Sequence, residues 1–272
     1  LMNPTVAATY LKSKFTAKAV ADRFWEIDAA RGVAVVMMII YHFMYDIYFF
    51  QISDALFTNP FWFYFQRVTA STFVTLVGAS LAIIYQRAAA KERADRSLAW
   101  LLFQRGARIF SWGMVISLGT YLALGPAMYI RFGVLHFIGF SIAISYPFLR
   151  YRWLNLSLGI LLIEAGNILQ QYTFDLPWLV WLGFEPANHY YVDYFPAIAW
   201  FGVVLLGIAA GNFLYRADRR ILPLPDISAW GPLAALRRMG QHSLPIYLLH
   251  QPALFALLIP ILWLLGVGNL GF

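Results

Sequence analysis

The sequence predicts an all-α integral membrane protein, a bundle of about seven transmembrane helices with a cytoplasmic N-terminus. Of its 272 residues, 61% are hydrophobic and only 12% are charged, and the mean hydropathy is +0.65. A soluble domain usually has roughly a quarter of charged residues, so this chain has too few polar side chains to cover a soluble globule. Apolar runs of the length that crosses a bilayer, roughly 20 residues, recur along the chain, and basic residues cluster between alternate runs.

Seven apolar runs are the predicted spans, and an eighth helix near the C-terminus is the alternative. They are residues 29–50, 68–86, 98–124, 132–149, 153–170, 194–215 and 240–265. The last contains Pro245, Pro252 and Pro260, so it is predicted to be kinked or split. Residues 171–193 are polar and proline-marked, and they predict an external loop, re-entrant around 178–184 or fully outside. The runs lack the alternation of a barrel wall, which argues against strands.

The basic residues orient the bundle because Lys and Arg concentrate on the cytoplasmic side. All but Arg67 and Arg131 fall on one side of the predicted spans. These are Lys12, Lys14, Lys18, Arg23, Arg31, Arg87, Lys91, Arg93, Arg96, Arg105, Arg108, Arg150, Arg152, Arg216, Arg219, Arg220, Arg237 and Arg238. The N-terminus is therefore predicted inside and the C-terminus outside, and an eighth helix would return the C-terminus to the cytoplasm.

The charge pattern also limits the partners and the organisation of the chain. The net charge of +7 is explained by the cytoplasmic clusters, so membrane lipids rather than nucleic acid are the predicted partners. Residues 1–28 are predicted to form a cytoplasmic N-terminal segment, either an interfacial helix or an unstructured tail, and residues 29–272 a single transmembrane domain. The chain contains no cysteine, which excludes disulfides and thiolate catalysis within it.

The first predicted helix has the densest set of ionisable residues, Asp28, Arg31, His42 and Asp46. Such groups are costly inside a membrane, so each is a candidate functional residue. Arg31 and His42 are eleven residues apart, which places them on one helix face about 16 Å apart along the axis. Asp46 lies one turn beyond His42, within reach of its imidazole, and a carboxylate behind a histidine suits a general base. The alternative is that Arg31 anchors the helix at the interface and His42 only packs against other helices.

Four sequence blocks resemble the transmembrane acyltransferase superfamily, specifically the prokaryotic relatives of heparan-α-glucosaminide N-acetyltransferase. The first block is the Asp-Ala-x-Arg-Gly start at Asp28 with the Arg-x10-His spacing from Arg31 to His42. The others are Arg131-Phe-Gly-Val-Leu-His136 through Gly139, Asp193-Tyr-Phe-Pro196 with Trp200-Phe-Gly202, and Gly240-Gln-His-Ser243 with Tyr247 and His250. The resemblance spans residues 23–255. Residues 46–67 contain no histidine, unlike the lysosomal branch, so the histidine role is carried over from the Arg-x10-His branch onto His42.

The resemblance implies a membrane-embedded acyltransferase that moves an acetyl group from cytoplasmic acetyl-CoA, its co-substrate, to an amine or hydroxyl of a sugar or lipid-linked glycan at or across the membrane. The resemblance assigns the catalytic histidine to His42, and the helix spacing adds Asp46 and Arg31 as predicted catalytic residues. His42 acts as the general base or carries the acetyl group covalently. No metal site is predicted, because no two histidines are four residues apart. Arginine binds phosphate in bidentate fashion, so Arg31, Arg105 and Arg108 are predicted to bind the phosphates of coenzyme A. Arg105 and Arg108 fit equally well as positive-inside anchors.

Four further residues are predicted to contact the acceptor: Arg131, His136, Asp193 and His250. The alternatives are packing roles for the histidines and a helix-capping role for Asp193. The predicted location is the plasma membrane, with several passes, and a homo-oligomer is left open.

Two other functions also place ionisable side chains in a membrane. A small proton-coupled transporter needs intramembrane His, Asp and Arg residues, although the inverted repeats typical of that class are not evident. A haem-binding membrane protein needs two histidines that face each other at similar depth, a requirement that His42 and His250 can meet.

Overall fold

The structure is a computed structural model that describes residues 23–93, 96–187, 192–216, 219–228 and 230–265. Most of the predicted N-terminal segment 1–28 lies outside the described residues. The described residues fall into two compact units: one contains those up to 72 and from 224 onward, and the other contains Phe73–Pro223. The prediction of one transmembrane domain over 29–272 stays a prediction.

Helices dominate both units. The α-helices are α1 (Trp25–Phe49), α2 (Ala55–Thr58), α3 (Pro60–Ala89), α4 (Arg96–Leu124), α5 (Val134–Ile144), α6 (Trp153–Leu169), α7 (Ala197–Leu214), α8 (Gly231–Gln241) and α9 (Ser243–Leu264). Two short 3₁₀ turns, Tyr146–Phe148 and Pro177–Leu182, and an antiparallel pair of two-residue strands, β1 (Tyr215–Arg216) and β2 (Arg219–Arg220), complete the described elements.

Five of the helices, α1, α3, α4, α7 and α9, are long and apolar enough to cross a membrane. The predicted multi-pass membrane protein is therefore supported, whereas the count of seven spans stays a prediction. The fourth predicted span, 132–149, is shorter than expected, because α5 has only 11 residues. Pro147 follows in a 3₁₀ turn, where proline lacks the N–H that would continue the α-helix. The fifth, α6, has 17 residues, at the lower limit for a span.

The seventh predicted helix is split, as its prolines suggested, but the break lies at His242 and not at a proline. Gly240 lies in the last turn of α8, and α9 begins at Ser243. Pro252 and Pro260 lie inside α9. Helix α8 has Arg237 and Arg238 in its last two turns, so a short amphipathic helix precedes the apolar one.

The first unit is built around α1, which packs against both α8 and α9. A Cβ on Gly240 would lie 1.8 Å from the carbonyl oxygen of Asp28, and one on Gly32 would lie 1.9 Å from that of Leu236. Small residues allow backbones to approach this closely in membrane helices. Further along, Phe50 packs with Leu258 and Leu262 in an apolar cluster. Between α1 and α9, the ring contacts advance along both helices together, from His42–His250 to Phe50–Phe255, so these two helices run parallel.

In the second unit, α5 packs on α4 and α7 packs on α6. The loop before α5 meets the loop before α7: Phe132 and Tyr194 form a parallel bridge, and the Phe195 N–H donates to the Phe132 carbonyl at 3.2 Å. This junction brings together two segments that lie about sixty residues apart in the sequence.

Candidate functional site

The predicted cytoplasmic end of α1 contains a buried carboxylate surrounded by donors. Asp28 is 4% exposed. Arg31 Nη1 donates to its Oδ1 at 3.0 Å, and Gln241 Nε2 of α8 donates to its Oδ2 at 3.1 Å. Arg23 adds a longer ion pair of 3.6 Å. Asp28 therefore fixes the guanidinium of Arg31 and ties α1 to α8.

Two histidines meet farther along α1. The rings of His42 and His250, the latter on α9, have centroids 4.7 Å apart and an interplanar angle of 63°. The sequence predicted both residues as site candidates, and the structure brings them into direct contact. His250 Nδ1 lies 2.6 Å from the carbonyl oxygen of Tyr247, one turn earlier on the same helix. Because a carbonyl only accepts, this nitrogen carries the proton.

Asp46 is not hydrogen-bonded to His42, and that part of the prediction is wrong. The carboxyl group is fully buried, and its Oδ1 accepts a hydrogen bond from Gln251 Nε2 of α9. The i, i+4 spacing on α1 allowed a contact with His42, but the hydrogen bond that forms comes from the neighbouring helix and reaches Oδ1, while Oδ2 accepts none from the described residues. The catalytic role of Asp46 stays a prediction.

His136 lies in the second unit, in a closed hydrogen-bond network. The Gly133 N–H donates to His136 Nδ1 at 3.2 Å, so this nitrogen is the acceptor and Nε2 carries the proton. Nε2 lies 3.3 Å from Ser117 Oγ, and the Ser117 hydroxyl donates to the Ile130 carbonyl. The network holds the turn that leads into α5. A role of His136 in binding the acceptor stays a prediction.

Asp193 caps α5. Its Oδ2 accepts from the Val134 N–H at 3.1 Å, which satisfies one of the free donors at the start of that helix. A Cβ on Gly133 would lie 2.2 Å from this oxygen, so glycine leaves the space for the cap. Capping was the alternative to acceptor contact in the sequence, and the cap belongs to α5 rather than to α7, the helix that follows Asp193.

An open, mainly apolar cleft of about 450 Å³ lies in the same unit. Its lining residues are Phe110, Arg131, Phe132, Phe140, Pro177, Val180 and Trp181. The His136 ring stacks on Phe132 with centroids 5.7 Å apart and meets Phe110 edge-on at 5.2 Å. His136 thus supports two walls of the cleft from behind. Arg131 is exposed and lies over the Tyr129 ring at 5.3 Å.

Arg105 and Arg108 are exposed on α4, one turn apart. They belong to the second unit and Arg31 belongs to the first. Their shared role in binding coenzyme A, like the role of Arg31, stays a prediction.

Sequence reasoning missed the two glutamines that hold α1 to the C-terminal helices. Gln241 bonds Asp28 and Gln251 bonds Asp46. The signal was available, because Gln241 lies inside the last resemblance block and Gln251 directly follows it, but an uncharged side chain is not singled out by its cost in a membrane. Ser117 was missed for the same reason.

The four resemblance blocks meet in pairs. The first and last are joined in one unit by the Asp28–Gln241 bond and the His42–His250 contact. The two middle blocks are joined in the other unit by the Val134–Asp193 bond and the Phe132–Tyr194 bridge. Residues scattered along the sequence therefore form two structural clusters.

Comparisons with known proteins agree with the resemblance. The family model described as heparan-alpha-glucosaminide N-acetyltransferase, catalytic, matches residues 23–252. A search of curated proteins and a search of solved structures each found no match. The family match covers most of the chain and all four blocks, and the apolar helices α1, α3, α4, α7 and α9 place the protein in a membrane. The chain belongs to the heparan-α-glucosaminide N-acetyltransferase catalytic family and is a multi-pass membrane acetyltransferase.

Proposed function

We propose that the protein transfers an acetyl group from cytoplasmic acetyl-CoA to an amine or hydroxyl of a sugar or glycan acceptor at or across the membrane, with His42 as the general base. The observation that carries this proposal is the imidazole pair, His42 and His250, on two parallel membrane helices. An ionisable side chain is costly to bury inside a membrane bundle, so its presence there indicates a function. The pair lies about 16 Å along α1 from Arg31, a distance that the extended pantetheine arm of coenzyme A is long enough to span.

The donor is proposed to bind at the cytoplasmic end of α1. Arg31 is held by Asp28 at 3.0 Å, which orients its guanidinium before the ligand arrives. A fixed guanidinium forms paired, charge-assisted hydrogen bonds with phosphate oxygens. Arg105 and Arg108 are the proposed additional phosphate ligands, on the grounds of their charge and their predicted cytoplasmic side.

In the proposed chemical step, one proton passes from the acceptor through His42 to the coenzyme A thiolate. His42 takes the proton from the acceptor N–H or O–H as that atom attacks the acetyl carbonyl carbon. The new bond joins the acetyl carbon to nitrogen or oxygen, and the carbon–sulfur bond of the thioester breaks. The departing coenzyme A thiolate takes a proton from the His42 imidazolium. A positioned base of this kind contributes roughly 10²–10⁴ to the rate.

The aromatic cleft of the second unit is proposed as a surface that contacts a sugar ring of the acceptor. Trp181 and Phe132 offer aromatic faces on which a sugar ring can stack, with centroids 5.9 Å apart. Arg131 supplies positive charge for an anionic group, and its position on the predicted external side is unusual for a basic residue. His136 and Asp193 are proposed to act here by holding the walls and the start of α5.

The contact between the two histidines also bears on the haem alternative. Bis-histidine ligation places the iron and its macrocycle between the two rings. His42 and His250 instead touch edge to face at 4.7 Å, which favours a proton-handling pair over two axial ligands.

Binding of acetyl-CoA, measured by calorimetry on the detergent-solubilised protein, tests the donor site. We expect micromolar binding that Arg31→Ala abolishes and Arg31→Lys partly restores, because lysine keeps the charge but loses the bidentate geometry. Arg150→Ala removes the same charge from the same predicted side and serves as the matched control. No binding to the unaltered protein at millimolar acetyl-CoA would contradict the proposal and favour the transporter.

A further inference from the structure

His250 has a tautomer that its helix dictates. Its Nδ1 donates to the Tyr247 carbonyl at 2.6 Å, so in the neutral ring the lone pair is on Nε2. Nε2 is buried and accepts no hydrogen bond from the described residues. A buried acceptor without a donor costs stability, so its retention calls for an explanation.

The His42 ring lies closer to the His250 ring than the Tyr247 ring does, with centroids 4.7 Å against 5.5 Å apart. A centroid separation of 4.7 Å is short enough for a nitrogen of one imidazole to reach a nitrogen of the other. Of the described residues, none hydrogen-bonds to the His42 ring, which also meets the Tyr41 ring edge-on with centroids 5.9 Å apart. The two histidines therefore have each other as polar neighbours.

We propose that His250 is a positioning residue for His42, and this inference rests on the proposed function. While one ring nitrogen of His42 takes the proton of the acceptor, the N–H of its other ring nitrogen donates to the Nε2 lone pair of His250. The hydrogen bond holds the imidazolium in place until the proton passes to the departing thiolate of coenzyme A. His250 undergoes no net change in the cycle.

The same role was predicted for Asp46, but the structure assigns the carboxylate a different partner. Asp46 Oδ1 accepts a hydrogen bond from Gln251 Nε2, while Oδ2 is buried and accepts none from the described residues. Gln251 directly follows His250 on α9. The Asp46–Gln251 bond therefore fixes the register of α9 against α1 one residue away from the ring contact. Asp46 therefore helps to hold the two helices that bear the histidines, and His250 supplies the hydrogen-bond acceptor for His42.

Two substitutions separate the acceptor role of His250 from its bond to Tyr247. The amide of His250→Asn can replace the Nδ1–H donor to the Tyr247 carbonyl but places no acceptor at the position of Nε2. The longer side chain of His250→Gln places an oxygen near that position. The assay follows the thiol of coenzyme A released from acetyl-CoA with glucosamine as acceptor. We expect His250→Asn to lower kcat about 10- to 100-fold, by analogy with the loss of a partner that orients a metal-binding histidine. KM for acetyl-CoA should be unchanged, and His250→Gln should recover most of the loss.

His242 provides the matched control. Its Nδ1 lies 2.9 Å from the Arg238 carbonyl, one turn earlier, but its side chain is exposed. His242→Asn and His242→Gln should leave kcat unchanged. Should His250→Asn not remain monodisperse in gel filtration, the comparison of His250→Gln with His250→Leu, which has no acceptor, replaces it.

The outcomes distinguish this inference from the proposed function. Full activity of His250→Asn, or an Asn variant that is more active than the Gln variant, would overturn the positioning role, because the bond to Tyr247 would then be all that matters. Absence of any thiol release by the unaltered protein would overturn the proposed function instead.

Discussion

Asp28 shows how a single buried carboxylate organises the end of a membrane helix. It accepts from Arg31 on its own helix and from Gln241 on α8, and it pairs with Arg23. The negative charge also lies in the first turn of α1, where the helix dipole favours it. The sequence predicted that Asp28 and Arg31 lie on one face, because their separation of three residues is a local property. It could not identify Gln241, which reaches Asp28 from 213 residues away.

The importance of this carboxylate can be measured by thermal unfolding. Asp28→Asn removes the charge partner of a largely buried guanidinium, and breaking a buried pair on one side costs about 3–5 kcal/mol. Arg23→Gln is the comparison, because its side chain is 44% exposed and exposed pairs contribute at most about 1 kcal/mol. We expect a large drop in Tm for Asp28→Asn and little change for Arg23→Gln. Equal effects would show that Asp28 does not organise this end of the helix.

Asp193 can be tested at the same scale. Its carboxylate caps α5 through the Val134 N–H, and losing such a cap costs about 0.5–2 kcal/mol. Asp193→Asn keeps an oxygen acceptor and should retain the stability, whereas Asp193→Ala should lower Tm. A further loss of activity in Asp193→Asn, at unchanged Tm, would instead indicate that the charge contacts the acceptor.

At the scale of elements, the close approach of α1 and α8 depends on glycine. The Cβ of an alanine at position 240 would lie 1.8 Å from the backbone oxygen of Asp28, and a backbone atom cannot move away as the end of a side chain can. We expect Gly240→Ala to separate the helices, lower Tm and abolish acetyl-CoA binding. Gly231→Ala, on the same helix, meets nothing within 4 Å and should behave like the unaltered protein. A Gly240→Ala protein with normal Tm would contradict the packing described for α1 and α8.

Element boundaries show where sequence reasoning reaches its limit. The long apolar runs of α1, α4 and α6 were located closely, because hydropathy over about 20 residues is a strong signal. The position of the break at His242 was not predicted, because neither a proline nor a glycine stands there. The change from one helix to the next follows from the amphipathic character of residues 231–241. The sequence predicted only that His42 and His250 lie at similar depth in the membrane, not that their rings touch. The predicted partner of Asp46 was wrong, because the observed partner, Gln251, lies on another helix.

At the scale of the whole molecule, the parallel course of α1 and α9 constrains the topology. Parallel helices cross the membrane in the same direction, so the number of crossings between them is odd. Three crossings, by α3, α4 and α7, satisfy this condition, and five do so when α5 and α6 also cross. The parity agrees with the predicted direction of the first and last spans under either count.

Cysteine labelling decides between these counts, and the absence of cysteine from the chain makes every introduced thiol unique. Ala127→Cys, Arg150→Cys and Gln171→Cys flank α5 and α6. With a membrane-impermeant maleimide on intact cells, we expect labelling at 127 and 171 and protection at 150, which is the pattern for seven spans. Labelling at all three positions would show that α5 and α6 do not cross the membrane.

Acetyl transfer by the purified protein in proteoliposomes measures the proposed reaction itself. Acetyl-CoA labelled in its acetyl group is supplied on the face with Arg31, and glucosamine is supplied on both faces. We predict acetylated glucosamine with the unaltered protein and a rate lower by roughly 10²–10⁴ for His42→Gln, with acetyl-CoA binding retained. No labelled product from the unaltered protein would contradict the proposed acetyl transfer. An undiminished rate for His42→Gln would contradict the role of His42 as the general base.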